Sequence, residues 1–182
     1  MRQAISKRIV EVVPYDAAWP ELFLEEKKRI ERIFKDEVLE IHHIGSTAIP
    51  GMCAKPTIDI LVVVRKIEKV DDFNGPMAGI GYVAKGEYGI PGRRYFYKGE
   101  VRRTHHLHIF QQGSHEIDRH LRFRDFMISH SREASEYARL KRELASRFST
   151  DIDSYCDGKD AFIKGIDAKA EAWAKARRSL RE

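Results

Sequence analysis

The chain has 182 residues and a mass of 21.1 kDa, the size of one domain and enough to bury a hydrophobic core without disulfide or metal support. A hydrophobic fraction of 42% and an aromatic fraction of 10% exclude a disordered chain. The 33 lysines and arginines exceed the 28 aspartates and glutamates by five, a net charge of +5 that suits a phosphate-bearing ligand without requiring one.

Cysteine content and hydropathy bear on the compartment. The two cysteines, Cys53 and Cys156, are far apart and outside any C-x-x-C spacing, which excludes a thiolate zinc site and a disulfide framework. The N-terminal segment lacks the apolar run of a signal peptide, and the longest apolar stretch, 58–64, is far short of the ~20 residues of a membrane helix. We therefore expect a cytoplasmic protein with no membrane partner.

The first elements in the chain are a short strand and a long helix. Residues 9–13 alternate in polarity and end at Pro14, which predicts the strand. The helix should begin at Trp19-Pro20, because proline is tolerated in the first turn. Six apolar side chains fall on one stripe of it: Trp19, Leu22, Phe23, Ile30, Ile33 and Phe34.

The rest of the chain is rich in predicted strands and then in predicted helices. The elements are strands at 38–44 and 57–64, a short helix at 67–77, strands at 82–85, 94–98 and 105–111, and helices at 116–129, 132–148 and 154–178. This order predicts an α+β fold in one domain spanning 1–182. A mixed sheet would be flanked by helices, and the C-terminal third, from about residue 115, would be helical.

The most informative segment joins the strands at 38–44 and 57–64. Gly45-Ser46 at a strand end can turn the backbone sharply and offer N–H groups and hydroxyls to a phosphate. Asp59 lies in an apolar strand, where an unpaired charge is costly, so we expect a cation beside it, either a metal ion or a basic side chain. The segment is not a Walker P-loop, because Gly45 and Gly51 enclose five residues and no lysine follows Gly51.

The segment GSTAIPGMCAKPTIDI (residues 45–60) resembles the motif of the GrpB family, a bacterial branch of the nucleotidyltransferase (polymerase-beta-like) superfamily. The resemblance covers nearly the whole chain. It includes HHLHIF (105–110), LRFRDFM (121–127) and single positions near both ends: Val13, Tyr15, Trp19, Tyr155, Lys159, Phe162 and Ile163.

The resemblance implies a nucleotidyltransferase-like sheet and the metal-dependent transfer of a nucleotidyl group from a nucleoside triphosphate to an acceptor. It places Gly45 and Ser46, with Thr47 beside them, at the phosphates, and Asp59 at a divalent metal ion. Active members of the superfamily usually carry a second carboxylate two positions after the first, where this chain has Leu61. Two-metal catalysis needs several oxygen ligands, which Asp59 alone does not supply.

This departure leaves a second interpretation open, a catalytically degenerate module that binds a nucleotide or cofactor. GrpB-like domains also occur attached to dephospho-CoA kinase, which adds a coenzyme A-related ligand as a candidate. Under either interpretation the partner is a small-molecule nucleotide or cofactor. For an enzyme, the acceptor is not identified by the sequence.

Two histidines can replace the missing carboxylate. His106 and His108 are two apart on a predicted strand and project from one face, roughly 7 Å apart, while Leu107 projects from the other face. With Asp59 they would form a mixed nitrogen–oxygen site. We therefore assign Asp59, His106 and His108 catalytic and metal-binding roles, with Mg²⁺, Mn²⁺ or Zn²⁺ as cofactor. The alternative is a pair of hydrogen-bonded surface histidines.

Two basic residues complete the predicted site. Lys55 lies in the loop before Pro56 and can reach a phosphate as a point charge; a solvated lysine is the alternative. Arg94 belongs to a basic segment, 93–103, that would receive a triphosphate, an acidic acceptor or a nucleic acid. The alternative for this segment is a hairpin whose basic residues protect a sheet edge.

Overall fold

One mixed sheet of five strands organises the molecule, for which the computed structural model describes residues 9–180. The strands are β1 (Val38–Ile44), β2 (Ile58–Val64), β3 (Tyr82–Ala84), β4 (Arg93–Lys98) and β5 (His105–Gln111). Their spatial order is β1-β2-β5-β4-β3. The pair β2/β5 is parallel and the other neighbours are antiparallel.

Helices cover both faces of this sheet. They are α1 (Trp19–Phe34), α2 (Asn74–Gly79), α3 (His115–Ser129), α4 (Ser131–Arg147) and α5 (Ile152–Ser179). Single 3-10 segments span Lys35–Glu37, Ser46–Ala48 and Ile67–Phe73. The fold is therefore α+β, with a mixed sheet flanked by helices and a helical C-terminal third, which confirms the fold class predicted from the sequence.

Strand alternation separates an apolar face from a face that carries the predicted site residues Asp59, His106 and His108. Ile60 of β2, with Leu107 and Ile109 of β5, is fully buried in the core formed with α1 and α2. The intervening residues face α3. Asp59 lies opposite His106 in the parallel register, and Leu61 opposite His108. The site face is thus the side of the sheet that the C-terminal helices cover.

The loop between β1 and β2 connects the sheet to the helical layer. Ile49 and Met52 of this loop are buried in a second apolar cluster with α3, α4 and α5, including Phe126, Tyr137 and Ile166. The loop is therefore held by packing at its middle, while its two ends remain attached to neighbouring strands. No helix within residues 9–180 has the length and apolarity needed to cross a membrane.

Three local predictions were wrong. Residues 9–13 form no strand, because Val13 bonds to Ala54 through a single bridge while the Val10 N–H donates to Ser149, so no ladder is shared. The expected helix at 67–77 is a 3-10 segment followed by α2, which begins at Asn74 and accommodates its proline in the first turn. Leu22 lies outside the buried stripe of α1 and is 43% exposed.

Candidate functional site

Asp59 and His106 form the centre of the site. They are register partners on β2 and β5, and Nδ1 of His106 lies 2.9 Å from Oδ1 of Asp59. Burial alone would raise the pKa of Asp59, but the hydrogen bond from His106, together with the electrostatic interactions of His106, His108 and Lys55, lowers the pKa to about 2. Asp59 is therefore a carboxylate at neutral pH that holds the His106 ring in a fixed orientation.

Gly45 permits the close approach of the loop to this carboxylate. Its φ of +70° lies in the region that favours glycine. A Cβ at this position would stand 2.5 Å from Oδ2 and 3.0 Å from Cβ of Asp59. The backbone of Gly45 therefore lies directly against the Asp59 side chain, a contact that no other residue type could make without displacement.

The turn after Gly45 is held by side chains from three elements. Ser46 lies close enough to Tyr137 of α4 to influence its pKa, and the Thr47 hydroxyl lies 2.9 Å from Nε2 of His43. Burial lowers the pKa of His43 to about 4, so its ring is neutral at pH 7. Arg124 of α3 donates to the His43 carbonyl oxygen at 3.0 Å. These contacts fix the turn before any ligand arrives.

A cleft of about 310 Å³ opens between the site face of the sheet and the three C-terminal helices. It brings together seven of the eight predicted site residues: Gly45, Ser46, Thr47, Lys55, Asp59, His106 and His108. The helical wall contributes Arg119, His120, Phe123, Tyr137, Lys141, Tyr155, Cys156, Lys159 and Ile163. The sheet side and the helices therefore each supply about half of the lining of the cleft.

Arg94 is the predicted site residue that lies elsewhere. It pairs with both carboxylate oxygens of Asp71 at 2.8 and 2.9 Å, and its register partner is Ile109, whose side chain faces the opposite side of the sheet from the cleft. Strand alternation sends its neighbour Arg93 to the cleft side instead. A phosphate-binding role for Arg94 in this cleft is thus inconsistent with its position.

The predicted donors do not fit a three-ligand metal centre. Nδ1 of His106 is bonded to Asp59 and not left beside it as a co-ligand. Nδ1 of His108 lies 3.3 Å from Nη1 of Arg93; a guanidinium can only donate, so this nitrogen accepts and Nε2 carries the proton. Burial lowers the pKa of His108 to about 3, so it is neutral. Within residues 9–180, no group of three or more histidine, cysteine, aspartate or glutamate side chains is arranged to hold a metal ion.

Lys141 of α4 lines the cleft, and the sequence pattern did not identify it as a site residue. It is 2% exposed, its ammonium donates to the Cys53 carbonyl oxygen, and it lies over the Tyr137 ring at 4.7 Å. Burial lowers its pKa to about 7. The sequence spacing indicates that Lys141 is buried, because it follows Tyr137 by four residues and precedes Leu144 by three on the buried stripe of α4.

Lys159 of α5 faces the same cleft. Its ammonium lies over the Tyr155 ring at 4.3 Å, and that of Lys55 lies near the same ring at 5.4 Å. Burial and the nearby charge of Lys55 lower the pKa of Lys159. No carboxylate within residues 9–180 forms an ion pair with Lys141 or Lys159, so both cations are held in a partly desolvated cleft without a protein counter-ion.

The chain is similar to known proteins over most of its length. The chain is 50% identical over 171 residues to the UPF0157 protein YqkA of Bacillus subtilis, covering 94% of this chain and 50% of YqkA, so it spans half the length of that relative. The crystal structure of the conserved protein GrpB from Enterococcus faecalis superposes with a TM-score of 0.86 at 44% identity, covering 90% of this chain and 99% of that one.

A more distant relative bears the name of an enzyme. The chain is 26% identical over 195 residues to a dephospho-CoA kinase of Mycolicibacterium paratuberculosis, covering 93% of this chain and 48% of the kinase. The family described as GrpB protein matches residues 9–169. The chain therefore belongs to the GrpB family.

Proposed function

We propose that the cleft binds a small molecule with at least two phosphate groups, a nucleotide or a nucleotide-containing cofactor. The observation that carries this proposal is a charge imbalance. Among the described residues that line the cleft, Asp59 is the single carboxylate, whereas Lys55, Lys141 and Lys159 bring three amino groups that can carry positive charge. Arg119 adds a further positive charge but is paired with Glu116 and Asp167.

The desolvation of Lys141 means that this charge imbalance costs free energy in the absence of an anionic ligand. A buried ammonium group without a counter-anion destabilises the folded state, and the low pKa of Lys141 expresses that penalty. A bound phosphate supplies the missing charge and accepts hydrogen bonds from the ammonium groups. Each such charged hydrogen bond contributes about 1.5–3 kcal/mol, or roughly ten- to hundredfold in affinity.

The turn at Gly45 and Ser46 lines the same cleft and can supply neutral donors. We expect one phosphate to contact this turn and the next to contact the lysines. Tyr137 and Tyr155, which line the same cavity, provide apolar surface for the remainder of the ligand. A nucleoside triphosphate and a coenzyme A-related molecule both meet this description, because both carry adjacent phosphates on a nucleoside.

Calorimetric titration of the purified chain with ATP, CTP, GTP, UTP, coenzyme A and pyrophosphate tests the proposal. Lys159→Met should weaken the best ligand by about ten- to hundredfold. Lys164→Met is the matched control on the same helix, because that side chain is 75% exposed and pairs with Asp160 on the surface. Binding of none of these ligands, or equal affinity in the wild type and Lys159→Met, would contradict the proposal.

A second candidate function is nucleotidyl transfer, and the Asp59–His106 pair favours it. A histidine oriented by a carboxylate is a common acid, base or nucleophile in enzymes, and pure binding requires no such pair. A divalent cation arriving with the nucleotide would find Asp59 as the one protein carboxylate of the described cleft, fewer than two-metal catalysis uses.

Labelled ATP, CTP, GTP and UTP, incubated with the protein, Mn²⁺ and a mixture of small-molecule acceptors, test this second candidate. Release of pyrophosphate that disappears in Asp59→Ala, with the nucleotide still bound, would establish transfer. Stabilisation of the protein by nucleotide without pyrophosphate release would contradict transfer and support binding alone.

A further inference from the structure

His106 is held in a single tautomer by its partner. Nδ1 lies 2.9 Å from an Asp59 oxygen that can only accept, so Nδ1 donates; in the ring form that carries a single proton, the lone pair therefore lies on Nε2. The ring lines the cleft together with the three lysines. A nucleophilic nitrogen is thereby presented to the volume in which the phosphates of the ligand are expected.

The surroundings of this pair differ from those of a two-metal centre. Leu61 occupies the position of a second carboxylate and is fully buried against Phe110 and the α3 residues Ile117 and Leu121, so no acidic side chain approaches Asp59 from that direction. Positive charge reaches the cleft on lysine side chains. The lysines can neutralise phosphate oxygens while leaving phosphorus open to a nitrogen nucleophile.

We propose that His106 is a covalent nucleophile that forms a nucleotidyl–histidine intermediate, an inference that rests on nucleotide binding in this cleft. Nε2 of His106, in the ring form protonated at Nδ1 alone, attacks the α-phosphorus of a nucleoside triphosphate. The N–P bond forms as the bond from the α-phosphorus to the bridging oxygen breaks, and pyrophosphate leaves with that electron pair. The Nδ1 proton stays in place, so the ring becomes a cationic nucleotidyl-imidazolium paired with the Asp59 carboxylate.

The second half of the reaction regenerates the histidine. The oxygen of an acceptor hydroxyl, or of water, attacks the same phosphorus. The N–P bond breaks, the ring takes back its lone pair as neutral imidazole, and the hydroxyl proton passes to solvent. Atoms and charge balance without an oxidant or reductant. Asp59 acts throughout as a positioning residue that stabilises the cationic ring.

The experiment traps the intermediate. The full-length protein is incubated separately with α-labelled and γ-labelled nucleoside triphosphates and denatured in alkali, which preserves N–P bonds, and half of each sample is then treated with acid, which hydrolyses them. Nucleotide binding is measured by equilibrium dialysis on the same preparations, and the labelled peptide is identified by mass spectrometry.

We expect α-label but no γ-label on the wild type, lost in acid and located at His106. His106→Gln should abolish labelling while nucleotide binding persists. His105→Gln is the matched control and should label normally, because His105 lies one position away, contacts Thr104 and Tyr82, and alternates to the opposite face of the strand. Asp59→Asn should still bind nucleotide but label about 100-fold more slowly, because the charge that supports the imidazolium is lost.

The experiment distinguishes failure of the covalent step from failure of nucleotide binding. Nucleotide that binds without labelling the protein, label that maps to another residue, retention of the γ-label, or full labelling of His106→Gln would each overturn the covalent step and leave binding intact. Absence of nucleotide binding in the dialysis would overturn both.

Discussion

Replacing Lys141 with methionine should change the free energy of unfolding by an amount that depends on pH. The pKa of Lys141 is about 7 in the folded chain, whereas 10.5 is the ordinary value for lysine. The unfolded chain therefore binds this proton more tightly than the folded chain, and the resulting penalty, about 4 kcal/mol at pH 7, falls to about 1 kcal/mol near pH 9.5. The free energy of unfolding contributed by Lys141 thus rises as pH increases from about 7 to 10.5.

Lys141→Met removes this penalty but also leaves the Cys53 carbonyl oxygen without its donor, a loss of about 1–3 kcal/mol. The variant should therefore be more stable than the wild type by about 1–3 kcal/mol at pH 7, or roughly 2–10 °C in Tm. At about pH 9.5 the advantage should disappear or change sign, by about 0–2 kcal/mol.

Urea unfolding followed by circular dichroism at the two pH values measures this effect. The informative quantity is the difference between variant and wild type, because titration of all other groups cancels in it. Lys164→Met, on the surface of α5, should show little change between the two pH values. A Lys141→Met variant that is less stable than the wild type by the same amount at both pH values would refute the reasoning that Lys141 is buried without a counter-ion.

Three further substitutions test the geometry of the cleft. Gly45→Ala should lower the free energy of unfolding by about 2–4 kcal/mol and weaken nucleotide binding, because the added Cβ meets Asp59 and φ is +70°; a neutral effect in thermal unfolding would contradict the close contact. Leu61→Asp, which restores the missing carboxylate, should destabilise the protein by about 3–5 kcal/mol because the position is fully buried; an unchanged Tm with new Mn²⁺ binding would show that the position is open. Arg94→Ala should leave nucleotide affinity within about twofold, because the side chain pairs with Asp71 away from the cleft; a tenfold loss in calorimetry would place it in the site.

The sheet was predictable because its strands carry strong local signals. β2 is a nearly continuous apolar and β-branched run, whereas β5 alternates between polar histidines and apolar residues over most of its length, and it begins and ends at the residues expected from the sequence. The pairing of Asp59 with His106 follows from placing the two strands side by side in parallel. The sequence alone did not contain the register that brings these two side chains to 2.9 Å.

Errors arose where tertiary contacts override the local pattern. Lys141 was not identified as a site residue because lysine is rarely buried, although its spacing from Tyr137 and Leu144 marks the buried stripe of α4. The segment 9–13 alternates like a strand, but its hydrogen bonds go to two different parts of the chain. Arg94 was placed at the phosphates through its basic neighbours, and only the pleat of β4 shows that it faces Asp71.

Proton uptake on ligand binding tests the central claim most directly. At about pH 8 the Lys141 amine is mostly neutral in the free protein, and a phosphate beside it should restore its charge. Calorimetric titration with the best-binding nucleotide, in two buffers of different ionisation enthalpy, measures the number of protons taken up. The account predicts close to one proton per nucleotide for the wild type and almost none for Lys141→Met; binding without proton uptake, or equal uptake by both proteins, would contradict it.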